Sequence, residues 1–261
     1  MAVHVRDILL APHLAPGRAE SLLGPYGFRD PGAADRNLQA IAQDPTARGL
    51  LADILEELLR CLGDAPDPDA ALNHFERFIK ASGGTLALLS YLFANPRVID
   101  LLARTFGSSS FMAEILIRHP AWLYWLSEPD VLGHPRTREE ITRDLDAGLA
   151  GLQSEGRQQD LLRITRRREI LHIGVRDLLR TSTVAETGAA LADLAGALID
   201  GALRSAHAAL RREVGLGPLP EAQGPPATSG FAVLGMGKLG GGDLNFSSDV
   251  DLIYVYGSDR G

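Results

Sequence analysis

The sequence predicts a mainly α-helical N-terminal region followed by the start of an α/β domain. Three observations carry this. From about residue 33 to residue 214, apolar residues recur at three- and four-residue spacing, as in Leu51, Ile54, Leu55, Leu58, Leu59 and Leu62. Residues 215–229 then hold four Pro and three Gly, which no helix accommodates. After them come two short runs rich in β-branched and aromatic residues, Phe231–Leu234 and Asp251–Tyr256, flanked by Gly, Ser and Asp.

Each element has its own local reason. Residues 1–32 are punctuated by Pro and Gly and read as irregular. Asp44-Pro45 is a helix start, with a capping side chain and a Pro whose missing N–H costs nothing there. Pro96 and Pro120 are expected to open further helices, and Ser110 to cap the segment that follows it. Thr137…Glu140 and Thr183…Glu186 have the spacing of a capping box, in which hydroxyl and carboxylate satisfy each other's orphan amides. Between them a long helix is expected through Leu161, Ile170 and Leu178, and a last one from about Val184 to Val214. The domain reading is therefore 1–32 irregular, 33–214 helical, 215–229 linker, and 230–261 the first two strands of a domain that is expected to continue. Two strands alone are marginal in water, so the chain reads as a piece of something longer, with its strand faces open unless the helices cover them.

Composition narrows the class. The chain has 261 residues, 45% hydrophobic and 23% charged, which suits a globular protein and excludes collagen, a wholly disordered chain or a disulfide-stapled miniprotein. A net charge of −7 provides no basic field, so no DNA or RNA partner is expected. The lone Cys61 cannot make an internal disulfide, and within its helical pattern it reads as a small buried hydrophobe. No stretch approaches the ~20 apolar residues that span a bilayer, and no targeting segment is visible, so a cytoplasmic, membrane-free protein is expected. Lys238 stands out, because only it and Lys80 are lysines among 26 basic residues.

The informative segment is Phe231 to Gly257, FAVLGMGKLGGGDLNFSSDVDLIYVYG. Gly235, Gly237 and Gly240 form a literal G-x-G-x-x-G after a strand, but Gly241, Gly242, Asn245, Ser247 and Ser248 make a poor helix, and a dinucleotide fingerprint needs one there. A purely structural turn is the second reading. Against it stands Asp249-Val250-Asp251, which at the start of a strand puts two carboxylates on one face, where they repel unless a cation sits between them. The third reading is metal-dependent nucleotidyl transfer. Glycines let backbone amides approach phosphate oxygens, and two carboxylates fix hard divalent ions against them.

The order hydrophobic-Gly, spacer, Asp-hydrophobic-Asp-hydrophobic resembles the polymerase-β-type nucleotidyltransferase superfamily, matched here by Leu234-Gly235 and Asp249-Val250-Asp251-Leu252. Met236 departs from that superfamily's usual Gly or Ser. The longer string from Leu234 to Tyr256 resembles the glutamine synthetase adenylyltransferase family, and its wording is similar to the N-terminal, AMP-removing half rather than the AMP-adding half. Residues 95–102, 118–126 and 166–179 resemble the same half.

The resemblance implies the start of a nucleotidyltransferase domain. Its implied reaction is phosphorolysis of adenylyl-tyrosine to tyrosine and ADP. It also implies Mg²⁺ held by Asp249 and Asp251, and a phosphate or nucleotide side lined by Gly235, Gly237, Lys238, Gly240, Gly241 and Ser248. Implied partners are glutamine synthetase, the PII signal protein, ADP or ATP, and phosphate. The family is several times longer than this chain, and the superfamily's third carboxylate is expected on a later strand. The rival from another class is a catalytically incompetent helical interaction module. The arginines at 163, 166, 167 and 168 read as a solvated face, Trp122 and Trp125 as packing anchors, and the seven histidines show no metal-ligand spacing.

Overall fold

The computed structural model describes residues 5–10, 13–215 and 231–256. Its contacts divide the chain into two compact units, Met1–Leu132 with Gly174–Thr181, and Gly133–Ile173 with Ser182–Gly261. The linker expected at 215–229 lies outside the described residues except for Gly215.

The first unit is all helical. Its helices are α1 (Pro16–Leu23), α2 (Pro31–Ile41), α3 (Pro45–Gly63), α4 (Pro68–Ala81), α5 (Thr85–Ala94), α6 (Pro96–Ser108), α7 (Ser110–Arg118), α8 (Trp122–Leu126) and α9 (Pro129–Gly133), the last ending at the unit boundary. Segment 1–32 is therefore less irregular than expected, because Pro16 at the first helical position starts α1 and Leu22 and Leu23 bury its apolar side. The start of α3 follows the sequence reading, with the Asp44 carboxylate accepting from the amides of Thr46 and Ala47. Two readings shift by a residue or two. Ser109, not Ser110, caps α7, its hydroxyl accepting from the Met112 amide. Pro120 precedes α8 without opening it, since the helix starts at Trp122. Trp122 is half-buried and stacks on His119 at 4.1 Å between ring centroids.

The first unit's core forms where α4 meets α6. Phe75, Phe78 and Phe106 are buried there, with Phe78 and Phe106 tilted against each other at 5.6 Å. Buried His74 is satisfied by the Phe106 carbonyl at 2.9 Å through Nδ1. Cys61 is fully buried, and burial pushes its thiol up to about 12, so it acts as a hydrophobe.

The second unit carries α10 (Arg138–Ala150), most of α11 (Glu155–Leu178), α12 (Val184–Glu213), β1 (Phe231–Gly235), α13 (Gly237–Gly240) and β2 (Leu252–Tyr256). Both capping boxes form as read, Thr137 with Glu140 and Thr183 with Glu186. Its core is Ile141 and Leu145 of α10, Ile170 and Ile173 of α11, and Leu191, Ala192, Leu194 and Ala197 of α12. Several polar groups inside are matched, while Glu169 Oε2 is buried without a hydrogen-bond partner among the described residues. The Ser205 hydroxyl donates to Gln158 Oε1 at 2.5 Å, and Gln158 Nε2 donates to the Leu152 carbonyl at 2.7 Å. Glu169, 1% exposed, accepts through Oε1 from Arg136 and Arg168. Part of the arginine cluster on α11 is thus turned inward instead of forming a solvated face. No single helix among the described residues is long and apolar enough to cross a membrane.

Strands β1 and β2 are antiparallel, with Phe231 opposite Tyr256 and Gly235 opposite Leu252. Alternation puts Phe231, Val233, Leu252, Tyr254 and Tyr256 on one face, and Ala232, Leu234, Ile253 and Val255 on the other. Both faces are open. Leu234 is 49% and Ile253 46% exposed, against 60% for Tyr254 on the opposite side. A two-stranded ribbon without a covered face is weakly held. Its amides are therefore expected to exchange with deuterium orders of magnitude faster than those of α4 and α6. Mass-spectrometric hydrogen exchange checks this, and equal protection in 231–256 and 68–108 would contradict it.

Candidate functional site

The glycine-rich segment makes a tight structure. β1 ends at Gly235, Met236 is extended, and one helical turn, α13, follows at once. The sequence reading denied a helix to the residues that follow Gly240, and 241–248 carry none; the single helical turn lies just before them. The turn is only Gly237–Gly240 and runs out into the bend of Gly241 and Gly242, so it is far shorter than a dinucleotide fold supplies. Gly237 opens it at φ +54°. Gly240 is needed for a different reason: a β-carbon there would sit 2.5 Å from the Gly235 carbonyl oxygen. The sequence reading reserved that space for a phosphate or a positive φ. The structure fills it with the strand's own backbone, and the positive φ values fall on Gly237 and Gly242.

The acid pair lies beside this turn. The Met236 amide donates to the Asp251 carbonyl at 2.9 Å, extending the β1–β2 ladder by one bond past Gly235 and Leu252. Asp249 and Asp251 are exposed and sit in the lead-in to β2, whose first residue is Leu252, so they precede the strand instead of standing on it. Asp251 Oδ2 comes within 3.9 Å of where a β-carbon on Gly237 would be. Among the described residues, no hydrogen bond or ion pair engages either carboxylate. Two uncommitted hard oxygen donors next to a glycine turn suit a divalent ion of the Mg²⁺ type, which takes one or two carboxylates and completes its shell with water and substrate phosphate. No group of three or more Asp, Glu, His or Cys residues capable of holding a metal occurs among the described residues.

The remaining predicted residues divide. Lys238 is exposed on α13. Gly241 closes the turn, its amide donating to the Gly237 carbonyl at 3.0 Å. Ser248 is occupied differently from the expectation, since its hydroxyl accepts from the Asn245 amide at 3.2 Å and its own amide returns to the Asn245 carbonyl. It closes the loop that delivers Asp249. The Met236 amide is likewise committed to Asp251, which leaves the first amides of the turn at Gly237 and Lys238.

The sequence reading missed how this loop is held. Leu244, 7% exposed, inserts into the core of α10, α11 and α12, with Leu239 and Phe246 packed beside it. The Leu244 amide reaches the Gly188 carbonyl on α12 at 3.3 Å. Two large apolar residues spaced by one inside an otherwise polar loop were the available signal.

Comparison with known proteins gives a consistent family. Residues 99–261 match the model of the glutamate-ammonia ligase adenylyltransferase family. Relatives described as bifunctional glutamine synthetase adenylyltransferase/adenylyl-removing enzymes include one from Streptomyces avermitilis, 35% identical across 95% of this chain and 23% of the relative. One from Leifsonia xyli is 31% identical across 93% of this chain and 23% of the relative. Another, from Thioalkalivibrio sulfidiphilus, is 29% identical across 92% and 26%. The chain thus spans about a quarter of the length of these curated relatives.

The Gly240 contact yields a local test. The atoms a β-carbon would meet belong to the Gly235 backbone and not to a flexible side chain, so Gly240→Ala should break the α13 turn while leaving the helical units intact. The expected result is faster hydrogen exchange confined to residues 235–243 with an unchanged far-UV circular dichroism spectrum. Loss of helical signal, or no change at 235–243, would contradict the packing argument.

Proposed function

The chain belongs to the glutamate-ammonia ligase adenylyltransferase family, and from that premise we propose that residues 231–256 carry the glycine turn and acid pair of a nucleotidyl-transfer site, in the half that removes AMP from glutamine synthetase. One observation carries the reading: the Met236–Asp251 backbone bond sets the Asp251 carboxylate, unpaired like that of Asp249 two residues before it, beside the turn that opens at Gly237.

The reaction is an in-line displacement at phosphorus. An oxygen of inorganic phosphate forms a bond to the adenylyl phosphorus as the bond to the tyrosine oxygen breaks, giving ADP and a tyrosine that takes up a proton. Such transfers depend on positioning and charge stabilisation more than on covalent chemistry from the protein. Bound Mg²⁺ would supply charge neutralisation at the phosphoryl oxygens. Asp249 and Asp251 would hold it from the lead-in to β2. The turn of Gly235, Gly237, Gly240 and Gly241 keeps side chains away from the phosphates, and its first amides point donors at them. Lys238 adds a mobile positive charge. Met236 cannot offer the hydroxyl that a Ser would, and its amide is already used, so this site leans on Gly237, Lys238 and the ion. Ser248 contributes by shaping the loop. Glutamine synthetase as the protein substrate, the PII signal protein as a regulator, and ADP or ATP as nucleotide follow from the same reading.

The test uses the product of the complete reading frame, with adenylylated glutamine synthetase, phosphate and Mg²⁺. Asp249→Asn and Asp251→Asn should each lower ADP formation by at least ~100-fold, the equivalent of about 2.7 kcal/mol of barrier. Both side chains are exposed and unpaired, so the thermal midpoint should not move. Phosphorolysis near the wild-type rate in either variant would remove the assignment.

A further inference from the structure

Helix α12 contains three glycines in an Ala-rich run, at positions 188, 196 and 201. A glycine inside a helix weakens it relative to alanine, so each invites a reason. At Gly196 an added β-carbon would meet the guanidinium of Arg138 at 2.8 Å, and at Gly201 the Leu162 side chain at 3.2 Å. Both neighbours are side chains of the helical unit. Gly188 is different. It is buried in the second turn of α12, and a β-carbon there would come 2.7 Å from Asp243 Oδ1, 3.5 Å from Asp243 Cα and 3.5 Å from the Leu244 carbonyl. Its own carbonyl accepts the Leu244 amide at 3.3 Å.

Asp243 is also wired to the glycine turn. Its amide donates to the Lys238 carbonyl at 2.9 Å, inside α13. A continuous path therefore runs from α12 through Asp243 and Leu244 to the residues beside the acid pair. Leu244 fixes the depth of the loop by filling the helical core, and Gly188 leaves room beside the helix for the Asp243 carboxylate, with the loop's backbone at contact distance from where a β-carbon would lie.

We propose that Gly188 is a positioning residue for the nucleotidyl-transfer site: its bare α-carbon lets Asp243 and Leu244 seat on α12, and through the Asp243–Lys238 bond this seat aims the phosphate-side turn. This rests on the function proposed above and extends it to a helix that touches no substrate.

A methyl group at position 188 meets the Asp243 carboxylate, so Gly188→Ala should fold with Asp243 turned off its seat on α12. It should also strengthen the helix, which separates a positioning role from a structural one. In the product of the complete reading frame, Gly188→Ala should keep or raise the thermal midpoint. It should speed hydrogen exchange at Asp243 and Leu244 and lower kcat for phosphorolysis about 10–100-fold, the scale of an ångström-size misplacement. KM for the adenylylated protein should stay within about twofold, because the displaced turn faces the reacting phosphates.

Gly196→Ala, which gives α12 the same helix gain but displaces only an arginine, should leave kcat unchanged. Removing the obstructing carboxylate in Gly188→Ala/Asp243→Ala should recover most of the loss, referenced to Asp243→Ala alone. Wild-type kcat in Gly188→Ala, or an equal loss in Gly196→Ala, overturns the inference. A wild-type protein that forms no ADP overturns the proposed function itself. Unchanged exchange at Asp243 and Leu244 in an active Gly188→Ala enzyme overturns the contact alone.

Discussion

The insertion of Leu244 into the core of α10, α11 and α12 is the contact on which the candidate site depends. A glycine turn has no side chains with which to hold itself, and β1 with β2 presents exposed apolar side chains on both faces. Left to its own contacts, such a ribbon is marginal. Leu244 changes this by giving the loop between the turn and the acid pair a buried apolar anchor, joined by Leu239 and Phe246 at its edges. Burying a leucine contributes about 1.5–3 kcal/mol, enough to choose one loop conformation among many. The helical part of the second unit is thereby more than a neighbour of the site. It supplies the surface against which the site takes shape.

A second constraint acts at the other end of the loop. The Met236–Asp251 bond closes a segment that leaves the strand at Gly235 and returns at Leu252. Closing a flexible loop costs entropy that grows only slowly with length, yet each internal bond reduces what remains to be ordered. Asp243 to Lys238, Asn245 to Ser248 and Leu244 to Gly188 divide the loop into short closed pieces. Asp249 and Asp251 follow directly after the last of them. Their position is therefore fixed from both sides by backbone contacts, which leaves their carboxylates free for a ligand.

Most of the helical architecture was legible because it is written locally. Asp44-Pro45, Thr137…Glu140 and Thr183…Glu186 are caps whose partners lie within three residues, and each formed as the spacing implied. Cys61 read correctly as a hydrophobe for the same reason, since its helical periodicity alone placed it inside. The misreadings share another feature. The helix at Pro16–Leu23 sits among Pro and Gly residues that dominate a composition argument, yet Leu22 and Leu23 are buried, with α1 packed on α2. Choosing between Ser109 and Ser110 turned on backbone geometry, where Ser109 is extended and Ser110 already helical. Of the α11 arginines read as a solvated face, Arg163 and Arg166 are exposed, but buried Glu169 draws Arg168, together with Arg136 from the segment before α10, toward the interior.

The site divides along the same line. Gly235, Gly237, Gly240, Asp249 and Asp251 stand out in the sequence because their chemistry is particular to their type: a missing β-carbon, a hard anionic oxygen. Their supports could not. Gly188 is remote from the motif in sequence and looks like a weak spot in an Ala-rich helix, and Leu244 looks like one apolar residue in a polar loop. Each has meaning only in contact with the other. The Gly240 case sharpens the point. The sequence reading assigned Gly240 to the phosphate side, but the space its missing side chain leaves is taken by the Gly235 carbonyl, 2.5 Å from where a β-carbon would lie. A glycine-rich motif can therefore be required at one position by a phosphate and at the next by its own backbone. Only the packed structure tells the two apart, because both demands select the same residue.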